Sequence, residues 1–235
     1  MIDVKEILKE FAEENNLLNE EVEIKISDTK LDTTRIKDYP LMSGKEILLR
    51  AYFKGCCGDA FTDKPVEFKG TIRELLDRGN RPEIVATLNA VMRYLGLVDK
   101  TAHCVGDEPE KCAKELVKYL KELKPKKIGI IGFQPAFVKE IVNAFGSENV
   151  IVSDLNPENV GKVKYGAKII HGKYNEELIK NSDVVLATGS TIANGTFEEI
   201  WELAKKYNKR IIFYGTTIAG MAKVLGVERF CTLGR

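Results

Sequence analysis

Residues 54–63 read KGCCGDAFTD: two adjacent cysteines between glycines, followed by the carboxylates Asp59 and Asp63. Adjacent thiols are soft donors that could hold a metal ion, form a redox bond or supply a nucleophile. They could equally be two small residues in a tight hairpin. In an extended strand Cys56 and Cys57 point to opposite faces and cannot both reach one ion, whereas in a turn they converge. A disulfide between neighbours is disfavoured by strained geometry. His103 and Cys104 follow an amphipathic helix and add two more soft donors. Cys56, Cys57, His103 and Cys104 are therefore the candidate metal ligands. Cys112 is in helical register with Leu116, Tyr119 and Leu123 and reads as core, as does Cys231 in the last strand. No C-x-x-C pair occurs, and the Cys/His spacing matches no structural zinc motif. His171, at the end of a strand in IIHGKYN, reads as a crevice residue or a surface loop histidine. Asp59, Asp63 and Asp154 are the acid/base candidates, and no Ser-His-Asp pattern is evident.

A second set of residues sits in four loops that follow apolar runs: GFQP (132–135), SDLNPENVG (153–161), ATGSTIANGT (187–196) and YGTTIAG (214–220). All are rich in Gly, Ser, Thr, Asn and Gln. Glycine lets a ligand approach the backbone, and hydroxyls and amides supply oriented hydrogen bonds. The candidate contacts are Gly132, Gln134, Asp154, Asn156, Thr188, Gly189, Ser190, Thr191, Asn194, Gly215, Thr216 and Thr217. Each loop alone is also explained by turn and capping chemistry. Thr196 with Glu199 forms a potential capping box for the following helix, which leaves Ser190, Thr191 and Asn194 without an evident local duty. Such loops suit a small polar or anionic ligand. Asp154 lies 22 positions after Gly132, near the spacing at which an acidic residue meets ribose hydroxyls. The first turn, however, has Phe133 and no second glycine for close approach of a pyrophosphate. Conventional NAD binding is not expected.

The elements that must position these residues change character along the chain. Val4, Ile7, Leu8 and Phe11 predict a helix over 3–15, and EVEIKIS a half-buried strand. EILLRAYFKG and GDAFTD read as two further strands, with GCCG at their turn. Thr71 and Glu74 form a capping box for TIRELLD, Pro82 opens RPEIVATLNAVMRYL, and Asp107 caps EPEKCAKELVKYLKEL. From Lys126 onward, short β-branched runs alternate with helices, the pattern of a parallel sheet buried on both faces. The expected fold is α/β with two domains. An α+β domain spans 1–122 and a small doubly wound, Rossmann-like parallel-sheet domain spans 123–235. The short KELKPKK link predicts domains joined by a shared interface, with helix 82–95 bringing Asn89 towards the crevice.

Bulk properties narrow the class. Among 235 residues, 36 Lys and Arg balance 35 Asp and Glu, for a formal net charge of +1. No electrostatic footprint points to nucleic acid or to a membrane surface. The charged start MIDVKEILKE is unlike a signal peptide, and five irregularly spaced cysteines are unlike a secreted disulfide framework. A cytoplasmic protein is expected. The sequence decides neither the oligomeric state nor whether a reaction is catalysed.

The order of these segments resembles the putative heavy-metal chelation family, whose members carry an enolase-N-terminal-like domain followed by a Rossmann-like domain. The resemblance covers essentially the whole chain. It rests on GDAFTD, on ATLNAVMRYLG with Asn89-Ala90, on SDLNP, on ATGSTIANGTFEEI and on FYGTTIAGMAKVLG. It implies a ligand site in the interdomain cleft and a heavy or transition metal ion as cofactor. One departure stands out: Tyr214-Gly215-Thr216-Thr217 replaces the expected Gly-Pro-(Ser/Thr) turn. The implied function is metal or metal-ligand binding, with an enzyme of small polar or anionic metabolites, or a purely structural or regulatory module, as the alternatives.

Overall fold

The computed structural model describes residues 2–27, 46–78 and 80–235. Helix α1 (Val4–Glu14) is capped by Asp3, whose Oδ1 accepts the Lys5 and Glu6 N–H groups at 3.0 and 3.2 Å, and it buries Val4, Leu8 and Ala12. Strands β1 (Glu21–Ile26), β2 (Ile47–Phe53), β3 (Cys56–Thr62) and β4 (Phe68–Thr71) form an antiparallel sheet in the order β3-β2-β1-β4. The β2–β3 turn is Lys54-Gly55, with φ of 46° and 82°. Two positive φ values suit the right-handed twist of a two-residue hairpin. The turn expected at GCCG thus lies one step earlier, and both cysteines belong to the strand, paired with Phe53 and Tyr52.

The capping box at Thr71 forms as the sequence predicts: Thr71 N–H donates to Glu74 Oε2 at 2.7 Å, and Glu74 N–H to Thr71 Oγ1 at 3.2 Å. It opens α2 (Ile72–Arg78). Helix α3 (Arg81–Tyr94) departs from the amphipathic expectation, because every residue from Glu83 to Met92 is buried. The cause is packing on two sides. One face lies on β2 and β3, where a Cβ at Gly58 would stand 2.4 Å from the Ala86 carbonyl oxygen. The other meets short helices of the second half, α7 (Ser190–Asn194) and α9 (Ala219–Leu225).

The second sheet contains β5 (Ile128–Ile131), β6 (Val150–Asp154), β7 (Val163–Lys164), β8 (Ala167–His171), β9 (Val184–Thr188), β10 (Arg210–Tyr214) and β11 (Arg229–Phe230). Their order is β11-β10-β9-β5-β6-β8-β7, parallel except for β7, which pairs antiparallel with β8. The chain runs outward from β5 to β8, then returns to β9 and runs outward on the other side. The reversal between β5 and β9 is a topological switch point, where crevices open beyond the carboxyl ends of strands. Helices α5 (Pro135–Phe145), α6 (Asn175–Lys180) and α8 (Phe197–Lys206) complete the layers.

One core cluster joins the first sheet, α3 and one side of the second sheet, from Val4 and Ile24 through Val91 to Val185 and Phe213. A second lies on the opposite side of the parallel sheet. It contains Cys112, Leu116 and Leu120 of α4 (Glu108–Leu123) with Ile128, Val138 and Ile141. Helix α4, read as the end of the first half, packs against α5 and the parallel sheet. Among the described residues no helix is long and apolar enough to cross a membrane.

Candidate functional site

A cleft of about 860 Å³ opens over the carboxyl edge of the parallel sheet. That is the size of a small-molecule site. All four polar loops contribute to its floor. The facing wall comes from the end of β3, the start of α3, the stretch from His103 to Cys112, and the final segment from Phe230 to Gly234.

On the floor, Gly132 takes φ +90°, and Tyr214 Oη donates to its carbonyl at 2.8 Å. A Cβ at Gly132 would stand 2.6 Å from Thr188 Cγ2, so only glycine fits. Gln134 lines the cleft while its Oε1 caps α5 by accepting the Phe137 N–H at 2.7 Å. Phe133 stacks on Tyr165 at 6.4 Å under the Lys164 ammonium. Asp154 anchors two loops: Oδ1 accepts the Asn156 N–H at 2.9 Å, and Oδ2 accepts Asn159 Nδ2 at 2.8 Å and the Phe133 N–H at 3.3 Å.

The 188–196 loop holds helix α7, and its side chains have local duties that the sequence did not reveal. Thr191 Oγ1 donates to the Thr188 carbonyl at 2.8 Å, and Thr191 is not among the lining residues. Asn194 Oδ1 accepts both the N–H and the hydroxyl of Thr196, at 3.1 and 2.8 Å. Thr196 makes no side-chain cap to α8, so the capping box expected with Glu199 does not form. Thr188, Gly189, Ser190 and Asn194 do line the cleft, with Thr188 Oγ1 donating to Ser190 Oγ at 3.3 Å. Gly215 takes φ +94° beside open space. Thr217 Oγ1 accepts the Phe61 N–H at 3.3 Å, tying the floor to β3. Thr216 is buried and lines the cleft, and its hydroxyl has no partner among the described residues.

The sequence reading placed Asn89 at the ligand, but the structure gives it another task. Its Nδ2 donates to the carbonyls of Asp59, Thr216 and Thr217 at 3.0, 3.3 and 2.9 Å, and its Oδ1 accepts the Gly220 N–H at 2.7 Å. The amide is consumed in joining β3, α3 and the YGTT loop, and it lies behind the cleft wall. Asp59, read as an acid/base candidate, is fully buried in a bidentate pair with Arg50, both contacts 2.7 Å. Hydrogen bonding to that carboxylate pushes the Arg50 guanidinium pKa up. Asp59 Oδ2 also accepts the His103 N–H at 2.6 Å, so the pair positions the wall instead of meeting a ligand. Asp63 lines the cleft.

Sequence reasoning missed Glu83. It is 1% exposed in the first turn of α3 and lines the cleft. Oε1 accepts long contacts of 3.4 Å from both Arg78 and Asn80, whereas Oε2 has no partner among the described residues. Burial pushes its carboxyl pKa up, opposed by the Arg78 charge and the Asn80 hydrogen bond. In sequence the Asn-Arg-Pro-Glu run signals only a helix start; tertiary packing buries the carboxylate.

The cysteines divide unexpectedly. Cys56 and Cys57 are absent from the cleft lining, and as successive strand residues they point to opposite faces. His103 and Cys104 do line it, joined by Cys112 and Cys231, the two thiols read as core. Burial pushes the Cys57 and Cys231 thiols up, away from the thiolate form. Cys112 Sγ accepts the Thr232 hydroxyl at 3.3 Å. Among the described residues no three His, Cys, Asp or Glu side chains group as a metal holder. His171 caps a short turn through Nδ1, which accepts the Lys173 N–H at 3.0 Å, and is not in the lining.

Comparison with known proteins adds a family. Residues 115–229 match the model of the DUF364 family, described as putative heavy-metal chelation. The uncharacterized protein MJ1125 of Methanocaldococcus jannaschii is 60% identical over 57 residues, which are 24% of this chain and 62% of that protein. The chain thus spans about 62% of the length of the curated relative it matches. Among solved structures, a DUF364-family protein of unknown function from Pyrococcus horikoshii is similar with a TM-score of 0.54 and 19% identity, over 91% of this chain and 78% of that one. A Desulfitobacterium hafniense member has a TM-score of 0.47 and 14% identity, over 78% and 74%. The first likeness is one of fold, mixed parallel and antiparallel sheets with helices. The stretch similar to the putative heavy-metal chelation family, residues 115–229, includes most of the floor of the cleft.

Proposed function

We propose that this protein binds a small polar molecule in the cleft between an enolase-N-terminal-like domain (1–122) and a Rossmann-like domain (123–235). A thiophilic metal ion is the cargo or centre of that molecule. The observation that carries this reading is the meeting of two chemistries in one cleft. A Gly/Ser/Thr floor suits a polar molecule, and the wall bears His103, Cys104, Cys112 and Cys231. The donors do not fit a bare ion held by the protein alone, since no three of them converge among the described residues. The bound molecule supplies the remaining donors. An enzyme acting on a small polar metabolite is the second reading, favoured by the buried carboxyl of Glu83 at the same wall.

Native mass spectrometry of the untagged protein, set beside elemental analysis of the same sample, tests this. A retained small molecule with metal in proportion is expected. Cys104→Ser with Cys231→Ser should lower the metal content, and Cys56→Ser with Cys57→Ser should leave it unchanged. A retained molecule without metal, indifferent to both double variants, favours the enzyme instead.

A further inference from the structure

Two polar atoms in the cleft lining are buried and lack a partner among the described residues: Glu83 Oε2 on the wall and Thr216 Oγ1 on the floor. Glu83 is 1% exposed and Thr216 3%. A buried acceptor left unmade is costly, and such atoms mark places where a further group belongs. Charge adds a second, independent observation. The described lining carries the carboxylates of Glu46, Asp63, Glu83 and Asp154, and Lys64 is its sole lysine or arginine. A concave site with an excess of one sign of charge, here four carboxylates against Lys64 in the lining and Arg78 beside Glu83, concentrates the opposite sign. The cleft therefore favours a cation, which weighs against the anionic ligand that the loop composition suggested.

We propose that Glu83 is a ligand-contacting residue that receives an organic ammonium group of the bound molecule, with the Thr216 hydroxyl meeting the same molecule from the floor. This rests on the reading of the cleft as a binding site. A carboxylate is acceptor-only, so Oε2 requires an N–H or O–H donor, and a charged donor makes the stronger bond. Arg78 reaches Oε1 only at 3.4 Å and leaves Oε2 untouched. An ammonium also fits better than a metal ion here, because it needs one carboxylate and neutral acceptors instead of three converging ligands. The cost that burial places on the ionised carboxyl is offset by a neighbouring cation.

Saturation-transfer NMR on the full chain tests the proposal with three probes: ethanolammonium, glycolate and cadmium ion, the last followed by its effect on the cysteine environment. Ethanolammonium should bind and glycolate should not. Glu83→Gln should weaken ethanolammonium by at least about tenfold, and Thr216→Val by several-fold. Should Glu83→Gln fail to fold, Glu83→Asp withdraws the carboxylate by one methylene and should also weaken binding. Unchanged ethanolammonium affinity in these variants, or preferential binding of glycolate, overturns the assignment. Cadmium binding without ethanolammonium binding overturns it while sparing the cleft as a metal-related site. No binding by any probe overturns both.

Discussion

Asn89 and Gly220 lie 131 positions apart, yet the Asn89 Oδ1 accepts the Gly220 N–H at 2.7 Å inside the protein. The same amide nitrogen donates to carbonyls of β3 and of the YGTT loop. One buried side chain thus fastens the antiparallel sheet to the turn that forms the cleft floor. Asn89→Leu should strip partners from several buried backbone groups and cost about 2–5 kcal/mol. Urea denaturation measures this. A loss below about 1 kcal/mol would show that the network is replaceable.

The Arg50–Asp59 pair makes a sharper case. Asp59 is fully buried, so Arg50→Met leaves its carboxylate without a counter-charge, at about 3–5 kcal/mol. Arg50→Met combined with Asp59→Leu should recover a large part of that loss. Because Asp59 also holds the His103 N–H, the double variant should shift His103 resonances while remaining folded.

For Glu83 the expected effect depends on pH. Its folded pKa is raised above the ordinary 4.5, so the folded state binds more protons than the unfolded state in that range. The cost of burying the carboxylate is absent at pH below the unfolded value, grows as pH rises through it, and levels off above the folded value. Glu83→Gln removes that dependence. The stability difference should move in favour of the variant as pH increases from about 4 to 7. Thermal unfolding across that range gives the answer, and a difference that moves the other way contradicts the burial argument.

Between Asn194 and Thr196 the hydrogen-bond pattern predicts an order of effects. Thr196 makes no cap, so Thr196→Ala should cost about 0.5 kcal/mol or less. Asn194→Ala removes the acceptor of two contacts and should cost more, about 1 kcal/mol. Denaturation midpoints of the two single variants test the ranking.

Parallel strands were legible because they are short β-branched runs bounded by glycine, and the loops after them were legible from composition alone. The floor of the cleft followed from these. The misses share a physical origin in long-range packing. Asn89 stands out in sequence as a polar residue in an apolar stripe. Nothing local tells whether its partners are a ligand or the backbone of residues far along the chain. Glu83 reads as an ordinary first-turn acid until the surrounding chain closes over it. GCCG and the neighbouring Lys54-Gly55 offer the chain similar turn chemistry, and the register of β2 on β3 selects the latter. The two-residue strand β7 and the helix within 190–194 are too short to carry a periodic signal.

At Gly132, Gly189 and Gly215 the floor is bare main chain, which has no side chain to tell one ligand from another. What such a surface offers is generic. Discrimination between ligands then falls to the side chains around it: Thr216 on the floor and, on the opposing wall, Phe61 to Lys64, Glu83, His103 to Cys112 and Cys231. These wall residues lie outside 115–229, the stretch that matches the family model. Engineering a new specificity should begin on that wall, with the floor left untouched.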